Sequence, residues 1–205
     1  MGKKRIRDFG IVPGRVKTGE RNAITDVPGI RVGHCTVKTE ENHTGVTVIV
    51  PGPDNAFAKH YTAAAYIHNG FGKSAGVVQV EELGTLETPI ALTNTLNVGK
   101  VLDAMVDIVI EQCRKDGIEP QSINPVVGEC NDCRINHIQK RAIGEKEVRE
   151  AFALASEEFE EGDVGAGAGT TCYGMKGGIG SASRVITIGE KEYTIGVLVQ
   201  SNFGA

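Results

Sequence analysis

One amphipathic helix pattern constrains the fold of this chain more than any other feature of its sequence. Between Asn97 and Lys115 the apolar residues recur at the spacing of a single helix face. Asn97 is suited to cap the start, and Gly117 followed by Pro120 predicts the end. The apolar stripe consists of Val98, Val101, Leu102, Met105, Ile108, Val109 and Cys113. A helix with such a stripe must bury it against another layer of structure.

Segments with the pattern of β-strands lie on both sides of that helix. Residues 44–50 (TGVTVIV) are predicted to form a buried strand, and residues 76–80 (GVVQV) a second one. Residues 185–188 and 193–199 flank a short polar turn and predict a β-hairpin.

A second helix is predicted at about residues 145–160, ended by Gly162. Its apolar stripe consists of Val148, Phe152, Ala155 and Phe159. Two long helices mixed with strands indicate an α/β fold in which helices pack on a sheet. The 205 residues are expected to form one domain.

Composition argues against several classes of function. The net charge is −4, and the only basic run, Lys3 to Arg7, has no interleaved aromatic residues and is interpreted as a solvated tail. Nucleic-acid binding therefore has little support. No apolar stretch is long enough for a membrane helix, and the start has no signal-peptide core. We expect a cytoplasmic protein with reduced thiols, since its five cysteines are an odd number.

The most suggestive chemical feature is a serine after a glycine run, at Gly180-Ser181. Cleavage of this bond would give Ser181 a free α-amine, whose ordinary pKa is about 7.7–8.0. Such an amine can act as general base for the hydroxyl of its own residue, as in N-terminal threonine hydrolases. The hairpin prediction places Ser181 at the head of a strand. The simpler interpretation of these residues is a glycine-rich turn that leads into the strand, with a solvated serine.

Two other glycine-containing segments resemble nucleotide-binding loops without satisfying their rules. Residues 69–74 end like a P-loop, but Ile67 occupies the position that requires the first glycine. Residues 165–169 (GAGAG) follow a predicted helix, whereas a dinucleotide-binding loop follows a strand. We interpret the first as a turn, and the second as a backbone wall near a substrate or near Gly180.

Cys130, Cys133 and His137 have a spacing that could begin a zinc site. His34 and Cys35 could in principle supply a fourth ligand. A redox pair and two ordinary thiols are the alternatives. The same segment contains Asn131, whose neutral amide is of the kind that lines oxyanion holes.

Four segments together resemble the P1-type aminopeptidases, the family of the L-aminopeptidase D-Ala-esterase/amidase and the β-aminopeptidases. They are residues 24–34 (ITDVPGIRVGH), 93–99 (TNTLNVG), 125–132 (PVVGECND) and 176–184 (KGGIGSASR). They lie in the family's order and span nearly the whole chain. The last segment is the most specific of the four.

The resemblance implies an α-β-β-α sandwich of the N-terminal-nucleophile type that forms homo-oligomers and cleaves itself between Gly180 and Ser181. By the same likeness Ser181 is the catalytic nucleophile, Asn131 the oxyanion donor and Tyr66 a tyrosine of the substrate site. The implied reaction removes the N-terminal residue from small peptides, amides or esters through an acyl-enzyme. No metal or organic cofactor is implied.

The chain departs from the family in its length, because members continue well past Ala205. A further serine and a glutamate of the family's active site would lie beyond that residue, so the chain is expected to be a fragment or a truncated product. Two alternative functions stay open. One is an acyltransferase of the ornithine acetyltransferase type, whose nucleophile is threonine, and the other is an inactive remnant that binds a partner.

Overall fold

The computed structural model describes residues 4–204, which form a layered α/β fold. Five short 3₁₀ segments occupy Ile6–Phe9, Ile24–Asp26, Thr95–Asn97, Ile138–Lys140 and Gly165–Gly167. The α-helices are α1 (Val77–Leu83), α2 (Val98–Lys115) and α3 (Glu145–Ala153). The strands are β1 (Arg31–Lys38), β2 (His43–Val50), β3 (Tyr61–Thr62), β4 (Thr85–Leu86), β5 (Ile90–Asn94), β6 (Val126–Cys130), β7 (Thr171–Cys172), β8 (Met175–Lys176), β9 (Gly178–Ile188) and β10 (Lys191–Ser201).

A four-stranded sheet in the order β1-β2-β5-β6 forms the centre of the fold. Strands β1, β2 and β5 pair antiparallel, whereas β5 and β6 are parallel. Parallel neighbours need a crossover connection, and α2 supplies it. The carboxyl ends of β5 and β6 therefore meet at one edge of the sheet, where Asn94 pairs with Cys130.

Helices α2 and α3 cover one face of this sheet, as the periodicity of α2 predicts. Met105 of α2 and Val148 of α3 are fully buried in one cluster with Val48 of β2 and Val127 of β6. Burial of each such side chain contributes about 1.5–3 kcal/mol. Helix α3 comes close to β1 because Gly33 has no Cβ, which would lie 2.7 Å from the backbone nitrogen of Ala155.

The other face of the sheet carries the 165–167 segment and the β9–β10 hairpin. Ile179 of β9 and Leu198 of β10 pack with Ala166 and with Leu92 of β5. Gly167 permits this approach, since a Cβ there would lie 2.5 Å from the backbone nitrogen of Ile179. The GAGAG run is thus a buried backbone wall beside the strand that carries Gly180, as its composition indicates. The described layers are helix, sheet and hairpin.

Two predicted elements differ from the structure. Residues 77–80 belong to helix α1 instead of a strand, and the helix is bounded by Gly76 and by Gly84, whose left-handed conformation is typical of a helix C-terminus. The second helix ends at Ala153, well before residue 160. Its chain leaves the helix because Ser156 exchanges two backbone hydrogen bonds with Val32 of β1, at 2.9 and 3.1 Å.

The cap of α2 also differs from the prediction. Asn94, not Asn97, accepts the capping hydrogen bond, from the backbone N–H of Asn97 at 3.2 Å. The side chain of Asn97 makes no capping bond and is fully buried. No helix within residues 4–204 combines the length and the apolar composition that a membrane crossing requires.

Candidate active site

Ser181 lies within β9, three residues after its start, so the expectation that it heads the strand is wrong. It pairs with Leu198 of β10, and Gly180 pairs with Val199. The backbone at Gly180 is not in the left-handed region. The Gly180–Ser181 bond is therefore part of an unbroken antiparallel ladder.

Every polar group of Ser181 has a partner in this arrangement. Its hydroxyl donates to the carbonyl oxygen of Val197 at 2.8 Å and accepts from the N–H of Ile24 at 2.7 Å. Its own N–H donates to Glu161 at 3.3 Å, and its carbonyl accepts from the Arg5 guanidinium at 2.8 Å. The hydroxyl thus joins the hairpin to the chain at Ile24.

The rest of the 180–184 motif makes contacts of the same kind. Ser183 donates to the Asp26 carboxylate at 2.5 Å and accepts from the N–H of Gly19 at 3.0 Å. Arg184 donates to the side-chain oxygen of Asn22 at 3.2 Å and to the carbonyl oxygen of Pro13 at 2.9 Å. The motif fastens residues 13–26 along the outer edge of β9.

Asp26 is the charged group in this fastening. Burial alone raises the pKa of Asp26, but hydrogen bonds from Ser183 and from the N–H groups of Arg21 and Ala23 outweigh it and leave the pKa below its ordinary value. The carboxylate is therefore ionised at neutral pH, as a hydrogen-bond acceptor for this loop should be.

A cleft of about 840 Å³ opens beside Ser181. Its walls include Arg5, Phe159 and Glu161. Arg5 and Glu161 form an ion pair at 2.6 Å, so the basic run is anchored from Arg5 onward instead of being a solvated tail, while Lys3 lies outside the described residues. Burial raises the pKa of Glu161, and Arg5 counters only part of that shift.

Asn131 lies directly after β6, whose last residue Cys130 is beside Gln200 near the open end of the hairpin. Its side-chain oxygen accepts from the N–H of Cys133 at 3.0 Å, which fixes the side chain in a tight turn. Its amide NH₂ group has no hydrogen-bond partner among residues 4–204, and the residue is exposed. A fixed amide with free N–H groups is what an oxyanion donor requires.

A buried polar network supports the turn that carries Asn131. The hydroxyl of Thr44 donates to Asp132 at 2.6 Å and accepts from the amide of Asn94 at 2.8 Å. The other carboxylate oxygen of Asp132 accepts from Asn136 at 2.9 Å, and Asn136 in turn accepts from Asn42. Burial raises the pKa of Asp132, and these hydrogen bonds reverse only part of the shift.

Strand β10 and the 69–73 loop border the same end of β6. The thiol of Cys130 lies 3.7 Å from the carbonyl oxygen of Gln200, and the N–H of Lys73 donates to Glu129 at 3.1 Å. Burial raises the pKa of Cys130 to about 11, with smaller effects from nearby carboxylates. The Cys130 thiol is protonated at neutral pH and is not an activated nucleophile.

Ser181 and Asn131 both lie towards the open end of the hairpin. Gln200, whose carbonyl oxygen lies beside the Cys130 thiol, pairs with Ile179, and Ser181 lies two residues further along β9. Tyr66 is 87% exposed in the irregular chain between β3 and α1, and it does not line the cleft at Ser181.

The zinc interpretation finds no support in the described part of the chain. Cys133 and His137 are both exposed, and no three His, Cys, Asp or Glu side chains converge as metal ligands within residues 4–204. The sequence reasoning missed the network beneath Asn131. Its one local signal is the polar run that follows β6, because the partners Asn42, Thr44 and Asn94 come from distant segments.

Comparison with known proteins places these features in a family. The sequence profile of peptidase family S58 matches residues 22–205. Two curated relatives, the β-peptidyl aminopeptidases BapA of Sphingosinicella microcystinivorans and of Sphingosinicella xenopeptidilytica, are each 39% identical over 210 residues. Each match covers 98% of this chain and 52% of the relative, so the chain spans about half the length of the curated relatives it matches.

Three solved structures share the fold over 98% of this chain. The PH0078 protein of Pyrococcus horikoshii OT3 is 44% identical, with a TM-score of 0.93 over 60% of its own length. A β-aminopeptidase of Burkholderia sp. is 41% identical, with a TM-score of 0.90 over 57% of its length. The L-aminopeptidase D-Ala-esterase/amidase of Ochrobactrum anthropi, described as a variant of the Ntn hydrolase fold, is 34% identical, with a TM-score of 0.89 over 58% of its length. The α/β fold of the Ntn-hydrolase type is thereby confirmed.

Proposed function

The chain belongs to peptidase family S58, and from that premise we propose that it forms part of an aminopeptidase for small peptides, amides or esters. The proposed reaction removes the N-terminal residue through an acyl-enzyme on a serine. A homo-oligomeric assembly belongs to the same proposal. The aminopeptidases among its relatives favour this reaction over acetyl transfer.

The observation that carries the proposal is the free amide of Asn131. Attack on a carbonyl places negative charge on its oxygen, and a fixed neutral donor stabilises that charge without reorganisation. The Asn131 amide is held by the turn to Cys133, and the turn is fixed below by Thr44 and Asp132. A donor on such a support fits the oxyanion of acyl transfer.

Self-cleavage between Gly180 and Ser181 is the finer part of the proposal, and its support comes from the sequence. In the uncut chain the Ser181 hydroxyl donates its proton to the carbonyl of Val197, and the bond to be cut lies in a paired strand. Cleavage there requires this ladder to open first. Cleavage would give Ser181 the free α-amine that serves as general base for its hydroxyl.

Intact mass under denaturing conditions tests the cleavage directly. Two fragments, the smaller one beginning at Ser181, would establish self-processing and make Ser181 the nucleophile. An uncut wild-type chain, heavier than an uncut Ser181→Ala variant only by one oxygen atom, would assign the hydroxyl to structure. This measurement is independent of substrate.

Hydrolysis tests the reaction. The purified protein is assayed with amides of L-, D- and β-amino acids, and release of the N-terminal residue is expected with at least one of these classes. Asn131→Ala should lower kcat, whereas Asn55→Ala should not. Asn55 is the matched control, because its side-chain oxygen accepts from the N–H of Phe57 at 3.0 Å in the same kind of turn, next to the far end of α2. If the full-length gene product released no residue from any class, the proposed reaction would be wrong.

A further inference from the structure

Glu161 lies directly beside the bond between Gly180 and Ser181. Its carboxylate oxygen Oε2 accepts a hydrogen bond at 3.3 Å from the N–H of Ser181, and that nitrogen belongs to the bond that the proposed cleavage breaks. The other carboxylate oxygen, Oε1, forms an ion pair with the Arg5 guanidinium at 2.6 Å. Glu161 is therefore an ionisable side chain in direct contact with a reacting atom.

The backbone fixes Glu161 at this place on the outer edge of β9. The next residue, Gly162, exchanges two hydrogen bonds with Ile179 of β9, at 2.7 and 2.8 Å. The glycine run permits this approach, because a Cβ at Gly178 would collide with the carbonyl oxygen of Gly162. Alternate N–H groups of a strand point the same way, so the N–H of Ser181 points away from β10 like that of Ile179. The Glu161 carboxylate meets it from that side.

Self-cleavage needs a proton carrier other than the α-amine of Ser181. The Ser181 hydroxyl must lose its proton when it attacks the carbonyl carbon of Gly180, and the nitrogen must gain one when the carbon–nitrogen bond breaks. The free α-amine exists only after that bond is broken, so it cannot assist this step. The present acceptor of the hydroxyl proton is the carbonyl oxygen of Val197, which is not a base. Among residues 4–204, the one carboxylate that is hydrogen-bonded to Ser181 is that of Glu161.

We propose that Glu161 carries the proton in the self-cleavage between Gly180 and Ser181. As Oγ of Ser181 bonds to the carbonyl carbon of Gly180, its proton passes to Oε2 of Glu161. The same oxygen then donates this proton to the nitrogen while the carbon–nitrogen bond breaks, which leaves an ester between Gly180 and Oγ and a free α-amine. Water hydrolyses the ester to the Gly180 carboxylate and the Ser181 hydroxyl, and Glu161 ends ionised, as it began. This inference rests on the proposed self-cleavage.

One carboxylate can serve both proton transfers, because the nitrogen and the hydroxyl of Ser181 are joined only through Cα and Cβ. Rotation about the Cα–Cβ bond takes the hydroxyl from Val197 towards the carbonyl carbon of Gly180, which is bonded to that same nitrogen. Arg5 acts as a positioning residue, since its guanidinium contacts Glu161 at 2.6 Å and the carbonyl oxygen of Ser181 at 2.8 Å. It thereby holds the carboxylate beside the nitrogen.

The charges around Glu161 suit a group that accepts and returns a proton. Burial raises the pKa of Glu161, while Arg5, the hydrogen-bonded N–H and Arg7 lower it and counter only part of that shift. Lys4 and Glu160 are the other charged residues that line the same cleft. A carboxylate with a raised pKa is a stronger base than an ordinary one, and proton transfer is most efficient when the pKa lies near the working pH.

The test follows cleavage of the full-length gene product during cell-free synthesis, with the fraction cut measured against time by gel electrophoresis. We expect Glu161→Gln to slow cleavage by about hundredfold or more, as does the loss of a general acid–base group. The amide has nearly the same shape and keeps an oxygen that can accept from the N–H of Ser181, but it cannot carry the proton. The matched control is Glu190→Gln, the same change at an exposed residue of the β9–β10 turn, which should be cut at the wild-type rate.

The pH dependence of the rate separates proton transfer from a structural role. The wild-type rate should fall as the pH falls through the pKa of Glu161, because a protonated carboxyl cannot accept the hydroxyl proton. The residual rate of Glu161→Gln should lack this dependence. Arg5→Gln should move it to higher pH, since Arg5 lowers the pKa of Glu161. Variants that only loosened the fold would lower the rate without moving the profile.

The possible failures have different meanings. If the wild type is cut and Glu161→Gln is cut at the same rate, or with the same pH profile, the assignment of Glu161 is wrong and the self-cleavage stands. If the wild type stays uncut, the self-cleavage is itself wrong and the assignment of Glu161 falls with it. Melting curves show whether the uncut variants fold. Should Glu161→Gln not fold, the profile of Arg5→Gln decides, because an unshifted profile would overturn the assignment and a shift to higher pH would support it.

Discussion

Two sites near the open end of the β9–β10 hairpin differ in how their polar side chains are used. At the Ser181 site, the hydroxyls of Ser181 and Ser183 both donate and accept hydrogen bonds within the chain. At the Asn131 site, a buried network holds a side chain whose amide NH₂ group has no partner among residues 4–204. A side chain with unused hydrogen-bonding capacity on a rigid support is available to a substrate, whereas one whose hydrogen bonds are all made within the chain stabilises the uncut fold.

The largest expected effect is that of Asn131→Ala on catalysis. Loss of one oxyanion donor costs about 10²–10³ in kcat. The residue is exposed, so the melting temperature should change little. Steady-state kinetics of the full-length gene product, with Asn55→Ala as control, measure this effect. An unchanged kcat would show that Asn131 is not an oxyanion donor.

The next effect concerns the support beneath Asn131. Thr44→Val keeps the shape of the side chain but leaves Oδ2 of Asp132 and the amide NH₂ of Asn94 each without the hydrogen bond to Thr44, so we expect a loss of about 1–3 kcal/mol in the free energy of unfolding. Urea denaturation gives this value. A matched change at Thr39, whose hydroxyl accepts a single hydrogen bond from the N–H of Asn42, should cost less. Equal losses would mean that the network does not stabilise the turn that carries Asn131.

A smaller effect is expected at the Ser181 site. Ser181→Ala removes a hydroxyl that links Ile24 to Val197, and a hydrogen bond of this kind contributes about 1 kcal/mol. We expect this loss in the free energy of unfolding of the uncut chain, and we expect the variant to stay uncut at Gly180–Ser181. A variant that is cut at this bond would show that the Ser181 hydroxyl is not the nucleophile of the cleavage.

The smallest effect distinguishes the two sites by the sign of their pH dependence. The pKa of Asp26 is lowered by folding, so its carboxylate stabilises the fold above its unfolded value of about 3.9, and this contribution is lost as the pH falls through the folded pKa. The pKa of Asp132 is raised by folding, so its contribution decreases as the pH rises from the unfolded towards the folded pKa.

Denaturation of Asp26→Asn and Asp132→Asn across acidic pH checks these signs. Relative to the wild type, Asp26→Asn should lose less stability on acidification. Asp132→Asn should lack the decrease that the wild type shows as the pH rises. The same slope in both variants would contradict the assignment.

The sequence predicts the elements whose signal is local. Helix α2 and the hairpin follow from periodicity and turn residues, because one stripe and one tight turn determine each. The strand prediction at 76–80 is wrong, since a run rich in valine between Gly76 and Gly84 suits either state and the two left-handed glycines select the helix. The early end of α3 depends on Ser156 meeting Val32, a contact between distant parts of the chain.

The same distinction between local signals and distant contacts applies to the candidate site. Asn131 is predicted as an oxyanion donor from its motif, and its turn to Cys133 is local. The partners of Ser181 could not be predicted, because Ile24 is separated from it by 157 positions. A motif identifies unusual residues but does not show whether their polar groups are free. Only the folded arrangement shows that the serines of 180–184 are already bonded.

The attachment of residues 5–26 to β9 sets an order of events during synthesis. Asn22 bonds to Ser183 across 161 positions, and Arg5 to Ser181 across 176. At about 5–20 residues per second, the ribosome delivers the hairpin roughly 10–30 s after the segment that it must hold. Until then the first two dozen residues have no partner on β9 and are open to proteases and chaperones. A nascent chain stalled before residue 178 should therefore be clipped near its start, and one released after residue 201 should not.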